Sequence, residues 1–202
     1  MNEERAVHLI VFDGFADWEP AYALAELRRW GKRTVRTIGF TEAPVKSMGG
    51  LRVMPDLQLG EARAADIELL VLPGGDLWET FEYPRVTLDA LLTALVAGRT
   101  PVAGICAGTL ALGRAGVLNH RDHTSNARSY LPTRVPEYTG GAHYVEAPAV
   151  RDQHVITASG LAPVDFARHI FAELRIFSAA DEALWFDMYK HGKLPDAAIN
   201  DR

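Results

Sequence analysis

The chain has 202 residues, 48% hydrophobic and 23% charged, which is enough apolar material for one sizeable core and too ordinary a mixture for a disordered or fibrous protein. A formal net charge of -5 provides no basic field to gather nucleic acid or anionic lipid, and a single cysteine cannot close an intramolecular disulfide. These features predict one domain over residues 1–202, a reducing cytoplasmic setting, and small molecules or proteins as partners.

Met1 to Arg5 is polar and runs directly into an apolar segment, without the charged-then-apolar layout of a secretory signal. Val7-His8-Leu9-Ile10-Val11-Phe12 then reads as a buried parallel strand closed by the turn Asp13-Gly14. From Pro20 the apolar spacing becomes helical through Ala21, Leu24, Ala25 and Leu27, with Gly31 as the stop. Thr34 to Phe40 predicts a second strand, Leu51 to Pro55 a short alternating one, and Ile67 to Leu72 a buried strand closed by Pro73-Gly74-Gly75. Pro84 to Ala97 predicts a helix, Val102 to Ile105 a strand, and Ala107 to Ala115 a helix. Val155 to Thr157 follows as a late strand, then helices at Pro163 to Leu174 and Glu182 to Lys190, with a polar tail beyond Gly192. Gly49-Gly50 and Gly140-Gly141 mark loops, and Asp66, Glu68, Asp89 and Arg99 interrupt every apolar stretch that approaches membrane-spanning length. The alternation predicts an α/β fold: a mostly parallel, doubly wound sheet with helices on both faces, a three-layer sandwich.

In such sheets ligands bind outside the carboxyl ends of the strands. Three loops qualify: Asp13 to Glu19, Pro73 to Asp76, and Gly104 to Gly108. Gly104-Ile105-Cys106-Ala107-Gly108 has the small-residue spacing of a nucleophile elbow with sulfur at the apex. A helix N-terminus there favours the thiolate, so the Cys106 pKa is expected below that of a free cysteine. The Ala107 amide, with those of Gly74 and Gly75 opposite, is positioned to hold an oxyanion. The competing reading is a small buried cysteine with no chemistry.

Cys106 in Gly-Ile-Cys-Ala-Gly, Glu19 in Asp-Trp-Glu-Pro, and Leu72-Pro73-Gly74-Gly75 together resemble the ThiJ/PfpI superfamily. The resemblance continues through Gly140 to Tyr144 and Ile156 to Gly160, with Phe166-Ala167 beyond. It implies a glutamine-amidotransferase-like, flavodoxin-like fold, a homodimer, a reactive elbow cysteine, and an acidic residue hydrogen-bonded to it. Glu19 matches that acid and is expected to stay protonated beside a thiolate and donate to it; read without the resemblance, it is first of all a first-turn helix carboxylate. Members with protease-like or amidase-like triads carry histidine directly after the cysteine, where this chain has Ala107. Other members place a histidine where this chain has Asn126, in His123-Thr124-Ser125-Asn126.

The remaining candidates have ordinary readings beside functional ones. His120 and His123, near Arg121 and Asp122, are expected to be solvated; His143 is either a site residue or a hydrogen-bonded structural histidine, and His169 is structural. Trp18 and Trp78 wall an apolar pocket or pack at a dimer interface. Asp76 reads as a helix cap. No spacing suits a metal, no GxxxxGK loop occurs, and no cofactor is implied. The leading expectation is a cysteine-dependent enzyme, hydrolase, hydratase or glyoxalase-like, acting on a small electrophile. The alternatives are a redox or stress-response protein working through Cys106 oxidation, and a non-catalytic binding or regulatory module. An amidotransferase or intracellular protease role rests on analogy of fold, since Ala107 and Asn126 remove the histidines those chemistries use.

Overall fold

The computed structural model describes residues 5–80 and 82–194; the stretch before Arg5 and most of the tail beyond Gly192 lie outside the described residues. Seven strands form one sheet in the order β5-β2-β1-β6-β7-β9-β8. They are β1 (Ala6–Val11), β2 (Val35–Gly39), β5 (Leu57–Gln58), β6 (Ile67–Leu72), β7 (Val102–Ile105), β8 (Ala149–Asp152) and β9 (Val155–Ala158). Every pairing is parallel except β8 with β9. Strands β1 and β7 are buried at every position and β6 at all but Glu68, as strands covered on both faces must be.

Helices α1 (Ala21–Arg29), α5 (Pro163–Leu174) and α6 (Ala179–His191) pack in series on one side. On the other lie α2 (Arg85–Ala97), α3 (Gly108–Arg114) and α4 (Tyr130–Arg134). The parallel three-layer architecture is therefore as the residue pattern predicts. Among the described residues no helix is long and apolar enough to cross a membrane.

Several elements depart from expectation, among them the unpredicted β5 and α4 and the three that follow. The strand at Leu51 to Pro55 is only β4 (Arg52–Val53), which pairs with β3 (Val45–Lys46) in a separate hairpin. That hairpin lies over the first loop, because Asp13 Oδ1 accepts from the Lys46 amide at 2.8 Å and Asp17 Oδ2 accepts from Ser47 Oγ at 2.8 Å. Strand β8 is an additional antiparallel edge, turning into β9 through Gln153 and His154 at φ 46° and 66°. The last helix starts earlier than its apolar pattern, because Ser178 caps it by accepting from the Asp181 amide at 3.2 Å.

Candidate active site

The loops after β1, β6, β7 and β9, four neighbouring strands at the middle of the sheet, deliver Glu19, Gly74, Cys106 and Gly160 to one point. A Cβ added to Gly74 would stand 2.7 and 2.8 Å from the two Glu19 carboxylate oxygens and 2.9 Å from Cys106 Cβ. One added to Gly160 would stand 2.8 Å from Cys106 Sγ and 3.2 Å from Glu19 Oε1. The thiol and the carboxyl group therefore lie side by side, closed in by two backbones that only glycine allows so near.

Cys106 adopts φ 55°, a left-handed conformation that costs a side chain about 1–2 kcal/mol and persists only where its surroundings impose it. The surroundings here are rigid. The Cys106 amide continues the β7–β9 pairing by donating to Ala158 O at 3.0 Å, and its carbonyl accepts from Thr109 Oγ1 at 2.6 Å. Thr109 in turn meets Ser125 Oγ at 2.7 Å, which ties the elbow to the segment that carries Asn126. The strained turn expected of the pentapeptide is thus present, with α3 starting two residues later.

Glu19 is 2% exposed, and its Oε2 accepts from the Gly74 amide. Burial pushes its carboxyl group up to about 7, against the hydrogen bonds from Gly74 and Cys106 that favour the anion. The Cys106 thiol moves the other way from expectation: burial and the negative charge of Glu19 push it up to about 11, although Asn126 and the Ala107 amide both donate to sulfur. A seven-residue helix start is outweighed by lost water and a facing carboxylate. The two groups titrate as a unit, with one proton leaving near neutrality and the second only in strong alkali.

Asn126 reaches the site, with Nδ2 donating to Cys106 Sγ at 3.3 Å and Oδ1 accepting from the Gly160 amide at 3.0 Å. His123, expected in solvent, is instead fully buried. Its Nδ1 faces Arg121 O at 2.7 Å and its Nε2 faces Tyr138 Oη at 2.7 Å, while Tyr138 and Tyr144 stand edge-on to the ring. Trp78 is also a correction, being 0% exposed: it packs against Phe12, Phe40 and Tyr83 and donates its indole N–H to Pro73 O at 2.7 Å, so it walls neither a pocket nor an interface. Trp18 is half exposed. His143 pairs with Asp122 at 3.3 Å, and His120 is exposed. Asp76 is not the cap of its short helix, a place taken by Gly75.

Two features were not singled out from sequence. Gly160 was visible only as part of a motif following a late strand, with no sign that it covers the thiol. Tyr130, which donates to Glu79 Oε1 at 2.8 Å and lies over the Arg134 guanidinium, is close enough for the Cys106 charge to raise its own pKa. An open cavity of about 280 Å³ borders Asn126 and Ser159. A larger, apolar groove of about 350 Å³ lies between α1 and α6, and none of its lining residues belongs to the site loops.

A model of the DJ-1/PfpI family matches residues 5–173. A Bacillus subtilis protein named uncharacterized protease YoaZ is 37% identical over 199 residues, covering 95% of this chain and 93% of its own. A solved structure of the DJ-1 superfamily protein Atu0886 from Agrobacterium tumefaciens superposes with a TM-score of 0.85 at 37% identity, over 94% of this chain and 100% of that one. The deglycase TK1284 of Thermococcus kodakarensis is 29% identical over 75% of this chain and 88% of its own. An isonitrile hydratase is also among the relatives.

Proposed function

The chain belongs to the DJ-1/PfpI family, and from that premise we propose that it is a cysteine-dependent enzyme that uses Cys106 as nucleophile on a small electrophilic carbon. The observation that carries this reading is a buried carboxyl group with a pKa of about 7 hydrogen-bonded to a thiol on a strained elbow. A proton acceptor works best when its pKa lies near the working pH, and burial has moved Glu19 there. As Sγ adds to the electrophile, its proton passes to the Glu19 carboxylate and the carbon's electron pair shifts to its heteroatom. The Ala107 amide, which already faces sulfur, and that of Gly75 hold the developing charge. Glu19 then returns the proton to the adduct.

Glu19 supplies the general base that positions 107 and 126 lack. A redox sensor, the competing reading, depends on a standing thiolate. Burial and the facing Glu19 carboxylate, which push the thiol up, oppose such a thiolate. We propose further that the enzyme works as a homodimer in the cytoplasm on a small-molecule substrate; sedimentation as a monomer at micromolar concentration would count against the dimer.

The test is turnover of a panel of small aldehydes, amides and isonitriles by wild type and Glu19→Gln. Gln keeps the shape and the contact with Gly74 but carries no transferable proton, so turnover should fall by roughly 10²- to 10⁴-fold. Glu19→Gln with wild-type turnover, or a wild type inert to the whole panel, overturns the reading.

A further inference from the structure

We propose that Asn126 is a positioning residue that holds the Cys106 sulfur through a hydrogen bond whose direction the main chain sets, stabilising anionic sulfur without exchanging a proton. The inference rests on the enzyme reading above for its catalytic meaning, and on geometry for the bond itself. An amide side chain has two faces that differ only in which atom donates. The Gly160 main-chain N–H can only donate, so the atom that meets it at 3.0 Å is Oδ1. That leaves Nδ2, a donor in every accessible protonation state, aimed at Sγ at 3.3 Å.

Sulfur accepts such a bond far better as an anion than as a thiol, so the bond strengthens as the thiol proton leaves. The groups that face Cys106 divide by role. Glu19, from the loop after β1, takes the proton; the Ala107 amide and Asn126 donate to sulfur; Tyr130, from α4, stays a protonated phenol because burial and Glu79 raise it. Position 126 thus performs the electrostatic half of a histidine's task and leaves the proton to Glu19 alone. The clamp needs its anchor: the 123–126 segment is fixed to β9 by the Thr124 amide donating to Thr157 Oγ1 at 2.8 Å, and Gly160 lies just beyond the end of that strand.

The experiment follows iodoacetamide alkylation of Cys106 against pH in the full chain, for wild type, Asn126→Asp and Asn126→Ala, with thermal melts to confirm folding. Asn126→Asp keeps an oxygen for Gly160 but loses the donor and adds a negative charge. Its alkylation near pH 8 should slow by more than the roughly tenfold that one hydrogen bond to a charged group is worth, because the new charge adds to the lost bond. Asn126→Ala should slow it by less, and Asn126→His should restore the rate while adding an ionisation near 6.5, the ordinary imidazole value. Wild-type rates and pH dependence in both the Asp and the Ala variants would overturn the proposal. Alkylation needs no turnover, so this result stands apart from the fate of the substrate panel.

Discussion

Cys106 and His123 are both titratable side chains, the first partly and the second fully removed from water, and burial drives both toward the neutral form, the thiol upward and the imidazole downward. Their partners differ. At His123 the Arg121 carbonyl accepts from Nδ1–H and the Tyr138 hydroxyl donates to Nε2, so each ring nitrogen is satisfied and no proton is available to move. At Cys106 the neighbour is a second titratable group, whose proton leaves near neutrality. Burial alone perturbs a pKa; acid-base chemistry needs two groups with pKa values pushed apart and facing one another.

The largest effects that test this contrast divide between rate and stability. Glu19→Gln should lose the roughly 10²- to 10⁴-fold in turnover already described. His123→Phe, which strands the Tyr138 hydroxyl and the Arg121 carbonyl, should cost about 1–3 kcal/mol of stability by denaturant unfolding while leaving kcat/KM unchanged. A rate defect in His123→Phe that exceeds its loss of folded protein would erase the distinction between the two regions.

Comparable in size is a pH effect. The folded-state pKa of Glu19 is raised from 4.5 to about 7, so folding favours its protonated form. That contribution is complete below about pH 4.5, is lost as pH rises to about 7, and is flat above. Wild type should therefore fall relative to Glu19→Gln by on the order of 3 kcal/mol across this window. Parallel stability curves for the two proteins between pH 4 and 8 would mean that Glu19 is no more buried in effect than a surface carboxylate.

The smallest effect concerns the elbow's backbone. Because Cys106 holds φ 55°, Cys106→Gly should be more stable than Cys106→Ala by about 1 kcal/mol. Equal stabilities would show that the turn is unstrained.

Much of this was legible in the residues. Strands β6 and β7 coincide with their apolar runs because Pro73 and Gly74 end one and Pro101 precedes the other. The elbow was legible because Gly104-Ile105-Cys106-Ala107-Gly108 stands together with the loops that carry Glu19 and Gly74-Gly75; the pentapeptide alone suits a buried cysteine equally well. Strand β8 was not, because its turn is built from Gln153 and His154 in place of the glycine or asparagine that usually signals a positive φ. Nor was the burial of His123 and Trp78, whose enclosing rings come from other segments. The direction of the Cys106 shift was not legible because the helix start and the facing Glu19 can be read from the residues, whereas the loss of water that outweighs the helix start arrives only with the fold.

Cys106 and Glu19 are expected to titrate as a pair that loses its first proton near neutrality and shares the second, and the pH profile of Cys106 alkylation in wild type and Glu19→Gln tests this most directly. Wild type should show two rises, the first near pH 7 as the pair loses its first proton and sulfur is transiently bared, the second toward pH 11. Glu19→Gln should lose the first rise and keep a single ionisation, below about 11 because the facing negative charge is gone. A wild-type profile with one step at the free-cysteine value of about 8.5, unmoved by Glu19→Gln, would contradict the account.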